Sequence, residues 1–416
     1  MNNRRLIHRT EEEAGFFYGY VIVAAAFLMM VVMWGAYYAF GIFFKPVLTE
    51  FGWSRATLSG AASLALFTSG LLGIVMGALT DRFGPRLVMM ICGFLLGLGY
   101  LLMSKINAVW QLYLFYGLII GTGMGGSFIP LITTIARWFL KRRGAMTGIV
   151  VAGVGIGAFI GSPLAHWAIS VYGWRRSYVF MALSVFAVIM LFTQFIRNAP
   201  GQFEGPTSAD GEGSLNPQRN LGQGLTLKEA VKTMRFWILV FILLCFGIPL
   251  HSVMVHIVPH ATELGISASS AAKVLSIIGG VSIIGKVSMG RACDGIGTKR
   301  VVMIGLILMS IALFLVAPVK ELWLLSAFAV VFGFAYGGSV ASHSPLVADL
   351  FGLSSHGLIL GVAGLGVTIG GAIGPLLTGY LFDLQGSYRL AFIIGGAICL
   401  LGSVLSKFLP AAKKVE

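Results

Sequence analysis

The sequence predicts an all-α membrane protein of twelve transmembrane helices, arranged as two parallel six-helix halves. Three observations carry that expectation. Hydrophobic residues make up 57% of the 416-residue chain and charged residues only 11%, where soluble domains carry about a quarter charged. Apolar runs of about 20 residues recur between short polar breaks, the length needed to cross a hydrocarbon core roughly 30 Å thick. A pattern of Gly, Asp, Pro and Arg then repeats at a spacing of 213 residues.

Reading apolar runs between charged or Pro/Gly-rich breaks places the first six spans near residues 16–44, 57–80, 87–104, 109–136, 145–170 and 177–196. The second six fall near 236–258, 268–290, 301–318, 322–347, 357–382 and 389–409. The chain thus divides into an N-terminal tail (1–15), a first bundle (16–197), a linker (198–233), a second bundle (234–409) and a C-terminal tail (410–416). The linker is polar and rich in Gly, Pro and Ser, with GQFEGPTSADGEGSLNPQRN at its centre.

Charge sets the orientation. The formal net charge of +14 could suggest nucleic acid in a soluble chain, but no basic stretch is interleaved with exposed aromatics. Of the 29 Lys and Arg, twenty lie on the side of the termini, eight on the other, and one, Lys286, inside a span. The positive-inside rule puts both termini in the cytoplasm of a multi-pass protein, here expected in a cell inner membrane. The first apolar run is too long for a signal-peptide core and lacks a small-residue cleavage site, so no cleavable signal is expected. Cys92, Cys245, Cys293 and Cys399 lie in or beside spans, far from any CxxC spacing, and read as apolar packing residues.

The repeat is ungapped. Gly77, Asp81, Gly84 and Arg86 spell G-x3-D-x2-G-x-R after the second span, and Gly290, Asp294, Gly297 and Lys299 repeat it after the eighth. The same offset carries Pro46 onto Pro259, Gly52 onto Gly265, Gly144 onto Gly357, Gly148 onto Gly361, Gly153 onto Gly366, Gly157 onto Gly370, Gly161 onto Gly374, Gly173 onto Gly386 and Arg176 onto Arg389. Parallel halves of this kind are related by an axis along the membrane normal, with the substrate site between them. The glycines of spans five and eleven are read as a nearly side-chain-free ridge on one helix face, along which helices can approach closely.

The doubled signature resembles that of the major facilitator superfamily, and the resemblance covers essentially the whole chain. It implies that Asp81, Arg82, Arg86, Asp294 and Lys299 form a charge cluster that gates the cytoplasmic end. A helix-capping role for the two Asp residues is compatible with that. In that fold, spans one, four, seven and ten, flanked by two, five, eight and eleven, surround the cavity.

Lys286 is then the decisive residue. Burying an ammonium in a span costs roughly 3 kcal/mol even on a permissive insertion scale. Snorkelling to the interface could relieve the cost, but no Asp or Glu lies inside any span to pair with it. An unpaired cation facing a cavity is a site for an anion. The segments LHSVMVHIVPHATELGISASSAAKVLSIIGGVSIIGKVSMGRACDGIG and YGYVIVAAAFLMMVVMWGAYYAFGIFFKPVLTEFGWS resemble the monocarboxylate transporter family and its bacterial oxalate:formate antiporter relatives. Those proteins usually carry Arg eight residues before the span-eight Asp; here that position is Lys286, so the charge is kept and the bidentate fork lost. The oxalate transporter's second cation, in span eleven, has no counterpart in GLILGVAGLGVTIGGAIGPLLTGYLFD. One cation matches one carboxylate, which favours a small monocarboxylate of the lactate or pyruvate kind over a dianion.

The resemblance also suggests Tyr336 as an aromatic contact near the carboxylate and Phe128 at a position where relatives often place Tyr. Tyr37 and Tyr38 in span one could close the opposite wall, although aromatics at helical spacing are commonly core. Animal relatives place an acidic residue one turn before the cation; here it is Ser282. With no carboxylate relay in the spans, proton coupling falls to Lys286, since a desolvated lysine, unlike arginine, can release its proton. His256 is the second candidate, as substrate contact or proton carrier, ahead of His251 and His343. His256 and His260 have i, i+4 spacing but no companion to complete a metal site, and no cofactor is expected. The expected partners are a small organic anion, protons and the lipid bilayer, with the protein a monomer. Carboxylate exchange without net proton movement is the alternative within transport. A membrane enzyme finds no Walker A, HExxH or GxSxG motif to support it. A non-transporting sensor would need a signalling domain longer than the linker provides.

Overall fold

A computed structural model of the protein describes residues 18–53, 55–198, 224–319 and 321–410. The N-terminal tail, residues 411–416 of the C-terminal one and residues 199–223 of the linker lie outside the described residues.

Twelve helices among the described residues are long and apolar enough to span a membrane. α1 runs Gly19–Tyr38 and, after a break at Ala39, continues as Phe40–Phe51. The first half goes on with α2 (Arg55–Phe83), α3 (Pro85–Met103), α4 (Val109–Trp138), α5 (Arg143–Tyr172) and α6 (Trp174–Thr193). The second comprises α7 (Met234–Glu263), α8 (Ala268–Ile296), α9 (Thr298–Val316), α10 (Leu322–Phe351), α11 (His356–Gln385) and α12 (Arg389–Ser406). All twelve expected spans are present. Several helices outrun the apolar segment, α8 by six residues beyond 290, because backbone hydrogen bonding continues where charged side chains such as Arg291 reach the polar boundary. Asp81 and Asp294 accordingly stand on the last turns of α2 and α8, and only Gly84 and Gly297 link those helices to the next.

The repeat read from the sequence is a repeat in space. α1 packs on α5 as α7 packs on α11; α2 on α4 as α8 on α10; α3 on α6 as α9 on α12. Three pairs of glycines at the 213 offset adopt positive φ: Gly52 and Gly265 (66° and 80°), Gly84 and Gly297 (85° and 93°), Gly173 and Gly386 (76° and 63°). A side chain there would be strained, which is why glycine recurs at these helix ends. α4 departs from regularity. It widens into π-helical turns over Tyr113–Ile120 and breaks between Gly125 and Ile129, in a stretch rich in glycine and followed by Pro130.

The halves meet along α5–α8 and α2–α11. The glycine ridge expected on one face of α5 serves two faces. A methyl group on Gly144 or Gly148 would strike the backbone of Gly290 or Lys286 in the other half, whereas Gly153, Gly157 and Gly161 abut Phe27, Val31 and Gly35 of α1. A five-residue step, from 148 to 153, turns the helix by about 140° and moves the stripe from one neighbour to the other. α11 repeats the division: Gly357 and Gly361 meet Gly77 and Ile74 of α2, and Gly366, Gly370 and Gly374 meet α7.

The end of the linker docks on this framework. Leu225 donates its N–H to the Phe351 carbonyl at 2.9 Å, and Thr226 and Glu229 form a capping box that starts the short helix Leu227–Ala230.

Candidate functional site

α8 carries Lys286 into the middle of the fold, its backbone held against Gly148 of α5. The residue is 1% exposed, so its ammonium does not snorkel to a surface. Nζ stands 5.5 Å from the centroid of the Tyr336 ring on α10. Ser282, one turn earlier on the same face of α8, is also buried; its hydroxyl donates to the Gly279 carbonyl at 2.7 Å, and its side chain lies near enough to the Tyr336 hydroxyl to interact with it. The ion pairs among the described residues are Arg137–Asp81, Arg143–Asp349 and Arg175–Glu50, so none involves Lys286. A cation over an aromatic face gains about 0.5 to 2 kcal/mol, short of the roughly 3 kcal/mol that burial costs. The ammonium retains unmet capacity for an anion.

α1 supplies the facing wall. Tyr38 is 45% exposed and near enough to Tyr336 to interact with it electrostatically. Trp34 lies one turn before Tyr38 on the same face, with ring centroids 5.6 Å apart, and its Nε1–H is buried without a partner. The sequence reading missed Trp34; the signal was its i, i−4 relation to Tyr38. Tyr37, 100° around the helix, turns into the first half instead, where its ring stacks at 6.4 Å on Tyr116 and its carbonyl accepts from the Tyr116 hydroxyl at 3.4 Å. Phe128 sits at the break in α4, half-buried against the core of the bundle.

His256, His251 and His343 find their contacts inside the second half. His256 Nε2 donates to the Pro375 carbonyl of α11 at 3.0 Å, and its ring lies 5.3 Å from Tyr388. The structure thus ties His256 to α11 and the start of α12, rather than grouping it with Tyr336 and Ser282 around Lys286. His251 bonds the Gly247 carbonyl at 2.9 Å, and His343 meets Phe246 edge-on at 4.9 Å. No three of His, Cys, Asp and Glu converge among the described residues. All four cysteines are buried and unbridged.

At the end of the molecule that carries the signature, the halves are closed by reciprocal caps. Asp81 accepts from the N–H groups of Gly357 and Leu358 at 3.2 and 2.9 Å. Asp294 accepts from those of Gly144 and Ala145 at 2.7 and 2.8 Å. Each carboxylate therefore satisfies the positive N-terminal end of a long helix from the opposite half. Arg137 of α4 pairs with Asp81 at 2.5 Å and donates to the Leu353 carbonyl at 3.2 Å. Arg143 pairs with Asp349 at 3.3 Å, and Thr298 donates to Asp349 at 2.7 Å.

Arg82, Arg86 and Lys299, expected in this cluster, are used within their own halves. Arg86 reaches Gln194 of α6, Lys299 reaches the Lys407 and Leu409 carbonyls after α12, and Arg82 lies over the Phe83 ring. Arg82 sits in the last turn of α2, and Arg86 and Lys299 at the starts of α3 and α9, where their partners belong to the same bundle. The cross-half cations are Arg137 and Arg143, which in the sequence were legible only as part of the positive-inside count.

The cross-half hydrogen bonds and ion pairs found among the described residues lie at the signature end, so the structure is closed there, with Lys286 two turns of α8 before Asp294. Farther from that end, a methyl group on Gly155 of α5 would touch Ile283 of α8, and one on Gly279 would face open space.

Comparison with known proteins agrees with this architecture. The Major Facilitator Superfamily profile matches residues 26–294 and 252–416. Monocarboxylate transporter 13 of Rattus norvegicus is 29% identical over 395 residues, covering 91% of this chain and 86% of that protein. Among solved structures, the proton:xylose symporter XylE superposes with a TM-score of 0.73 at 18% identity, over 95% of this chain and 97% of that one. The human organic anion transporter MFSD10 gives 0.69 at 17%, over 93% and 99%. With twelve helices in two pseudo-equivalent halves and a profile match over most of its length, the chain belongs to the Major Facilitator Superfamily and is a membrane transporter, with monocarboxylate transporters among its relatives.

Proposed function

We propose that this transporter moves a small monocarboxylate of the lactate or pyruvate kind by alternating access, together with a proton. The observation that carries the reading is Lys286: a buried ammonium with no carboxylate partner, beside Tyr336 and Ser282 and across from Trp34 and Tyr38. One cation neutralises one carboxylate, whereas a dianion would keep one charge desolvated. The Trp34 N–H and the hydroxyls of Tyr38 and Tyr336 supply neutral donors for the remaining oxygens. The likeness to a rat monocarboxylate transporter supports the same substrate class.

We take the signature end as cytoplasmic from the Lys/Arg distribution and the protein as a monomer of an inner membrane, so that the caps hold its cytoplasmic side closed. In this reading anion and proton enter from the side opposite the signature, and release of the Asp81 and Asp294 caps exposes Lys286 to the signature side.

Uptake of labelled lactate, pyruvate, formate and oxalate into proteoliposomes under an imposed pH gradient tests the proposal. Accumulation of lactate or pyruvate driven by the gradient, lost in Lys286→Ala, is the expected result. Oxalate–formate exchange indifferent to the gradient would favour the antiporter reading instead. No uptake of any of the four would overturn the substrate class.

A further inference from the structure

His356 opens α11 where the two halves meet, and it is fully buried. Its Nε2 lies 3.1 Å from the Ser344 carbonyl of α10. A carbonyl only accepts, so Nε2 carries the proton, and in the neutral ring Nδ1 is a bare acceptor. That Nδ1 has no partner, and neither do the Ser344 hydroxyl and Arg137 Nη1.

The charged groups around the ring come from four helices. Arg137 of α4 and Arg143 of α5 are both near enough to act on it electrostatically. Each is already matched by one carboxylate, Asp81 of α2 and Asp349 of α10. Asp81 is further committed to the two amides that follow His356, and Asp349 to Thr298. A second proton on the ring would therefore add a cation beside two guanidiniums, at the positive end of a 30-residue helix, with its new N–H facing no acceptor. All three effects oppose it, and the first and the last depend on the halves being closed here. Parting them removes Arg137 and Arg143, which belong to the first half, and lets water reach the ring.

We propose that His356 is a proton-binding residue of the gate, neutral while the signature end is closed and protonated when that end opens, so that acid on this face shifts the transporter toward the state open to it. The sign follows from linkage: a proton that binds the open form better must favour it. The inference rests on the alternating access proposed above and not on the identity of the substrate. In a monocarboxylate carrier such a device would favour loading from the more acidic compartment.

The test is a distance measurement by double electron–electron resonance on the full-length protein in nanodiscs, without substrate. Spin labels on Leu87→Cys and Arg300→Cys, at the starts of α3 and α9 and 213 residues apart, report the closed end in a background lacking the native cysteines. Asp81→Asn serves as the opening control. Lowering the pH from 8 to 5.5 is expected to raise the open population about fivefold or more. His356→Gln, whose amide can still donate to the Ser344 carbonyl but takes no proton, is expected to remove the response, and His356→Asn provides the same test should the glutamine variant not fold. No pH response in the parent while Asp81→Asn opens would overturn the proposal, as would an unchanged response in the glutamine or asparagine variant. A control that fails to open at any pH would instead remove the alternating-access reading, and this one with it.

Discussion

Asp81 and Asp294 each cap a helix of the opposite half, and the two caps are images of one another. Asp81 accepts from Leu358 at 2.9 Å and Asp294 from Ala145 at 2.8 Å, and donors and acceptors alike are 213 residues apart. The glycines Gly77 and Gly290 of the same motif meet Gly357 and Gly144 backbone to backbone, so the signature brings the helix ends close and the carboxylate then fixes them.

The equivalence stops at Arg137. Its image at the 213 offset is Leu350, so Asp81 has a guanidinium partner and Asp294 has no such ion pair among those found. Asp81→Asn strands a side chain that is 4% exposed, and breaking a buried pair costs about 3–5 kcal/mol. Losing a cap costs about 1 kcal/mol. Asp81→Asn is therefore expected to open the signature end far more than Asp294→Asn, with substrate affinity in a conformation locked by cross-linking nearly unchanged in both. Equal opening by the two variants, read from label distances, would remove Arg137 from the account.

Closure also depends on the absence of side chains. A methyl group on Gly148 would collide with the Lys286 carbonyl, a backbone atom that cannot turn aside. Gly148→Ala is expected to hold the halves apart at this level and to slow transport at least about tenfold, since overpacking a tight contact costs about 1–3 kcal/mol. Gly279→Ala, at a position facing open space, is the matched control and should transport normally.

The twelve helices and the two halves were legible because hydrophobic length and a gapless repeat are properties of the chain alone. Lys286 was legible for a related reason: a charge inside an apolar run is costly wherever the helix points. Direction was not legible. Tyr37 and Tyr38 are neighbours in sequence, but one packs on Tyr116 and the other stands near Tyr336, a distinction set by helix rotation. The same holds for the glycines of α5, which the five-residue step divides between two partners. The cross-half role of Arg137 depends on where α4 resumes after its break, which no periodicity encodes. His256 presented favourable spacing, but Pro375 of α11 already occupies its Nε2.

Trp34 provides a test of the α1 wall. A buried N–H without a partner costs about 1–3 kcal/mol, and an arriving carboxylate or hydroxyl would recover part of that. Trp34→Phe is expected to weaken binding of the transported acid about 5- to 20-fold, in calorimetry on the purified protein, while leaving the labelled gate distances unchanged. Lys286→Ala should abolish binding with the same gate distances. Wild-type affinity in Trp34→Phe would place the indole outside the site.

A different pH dependence belongs to the end of the first half opposite the signature. Hydrogen bonds from Arg175 and then Trp174 hold the Glu50 carboxyl below the usual glutamate range, with Arg175 at 2.7 Å and Trp174 at 2.6 Å. A carboxylate whose folded value is depressed contributes stability that is complete above its unfolded value, about 4.3 for glutamate, and is lost as pH falls through the lower folded value. Glu50→Gln should lower the thermal midpoint by the same modest amount from pH 8 down to about 5, and the difference should vanish in more acidic buffer. Since both partners are about two-fifths exposed, high salt should shrink the effect. A difference that grew on acidification would contradict the assigned sign.

The proposed symport requires a route for a proton beside the anion, and the acidic residues of the spanning helices stand near helix ends, Asp81, Asp294 and Asp349 among them. Lys286 supplies it if its ammonium is the site at which proton and carboxylate arrive together, because a desolvated lysine can exchange its proton whereas arginine keeps its charge at any physiological pH. Lys286→Arg separates the two roles of that side chain. A guanidinium can still bind a carboxylate, so exchange of labelled for unlabelled substrate should persist, with its rate reduced by the bulkier head beside Gly148 and Tyr336. Accumulation driven by an imposed pH gradient should fall to the level of exchange alone, because the empty site can no longer return uncharged. His256→Gln is the companion variant: with Nε2 engaged by Pro375, its loss should loosen the α7–α11 contact without removing gradient-driven uptake. If instead the arginine variant accumulates substrate as the parent does, the proton moves elsewhere, on His256 or on the protonated acid itself, and Lys286 is an anion anchor only.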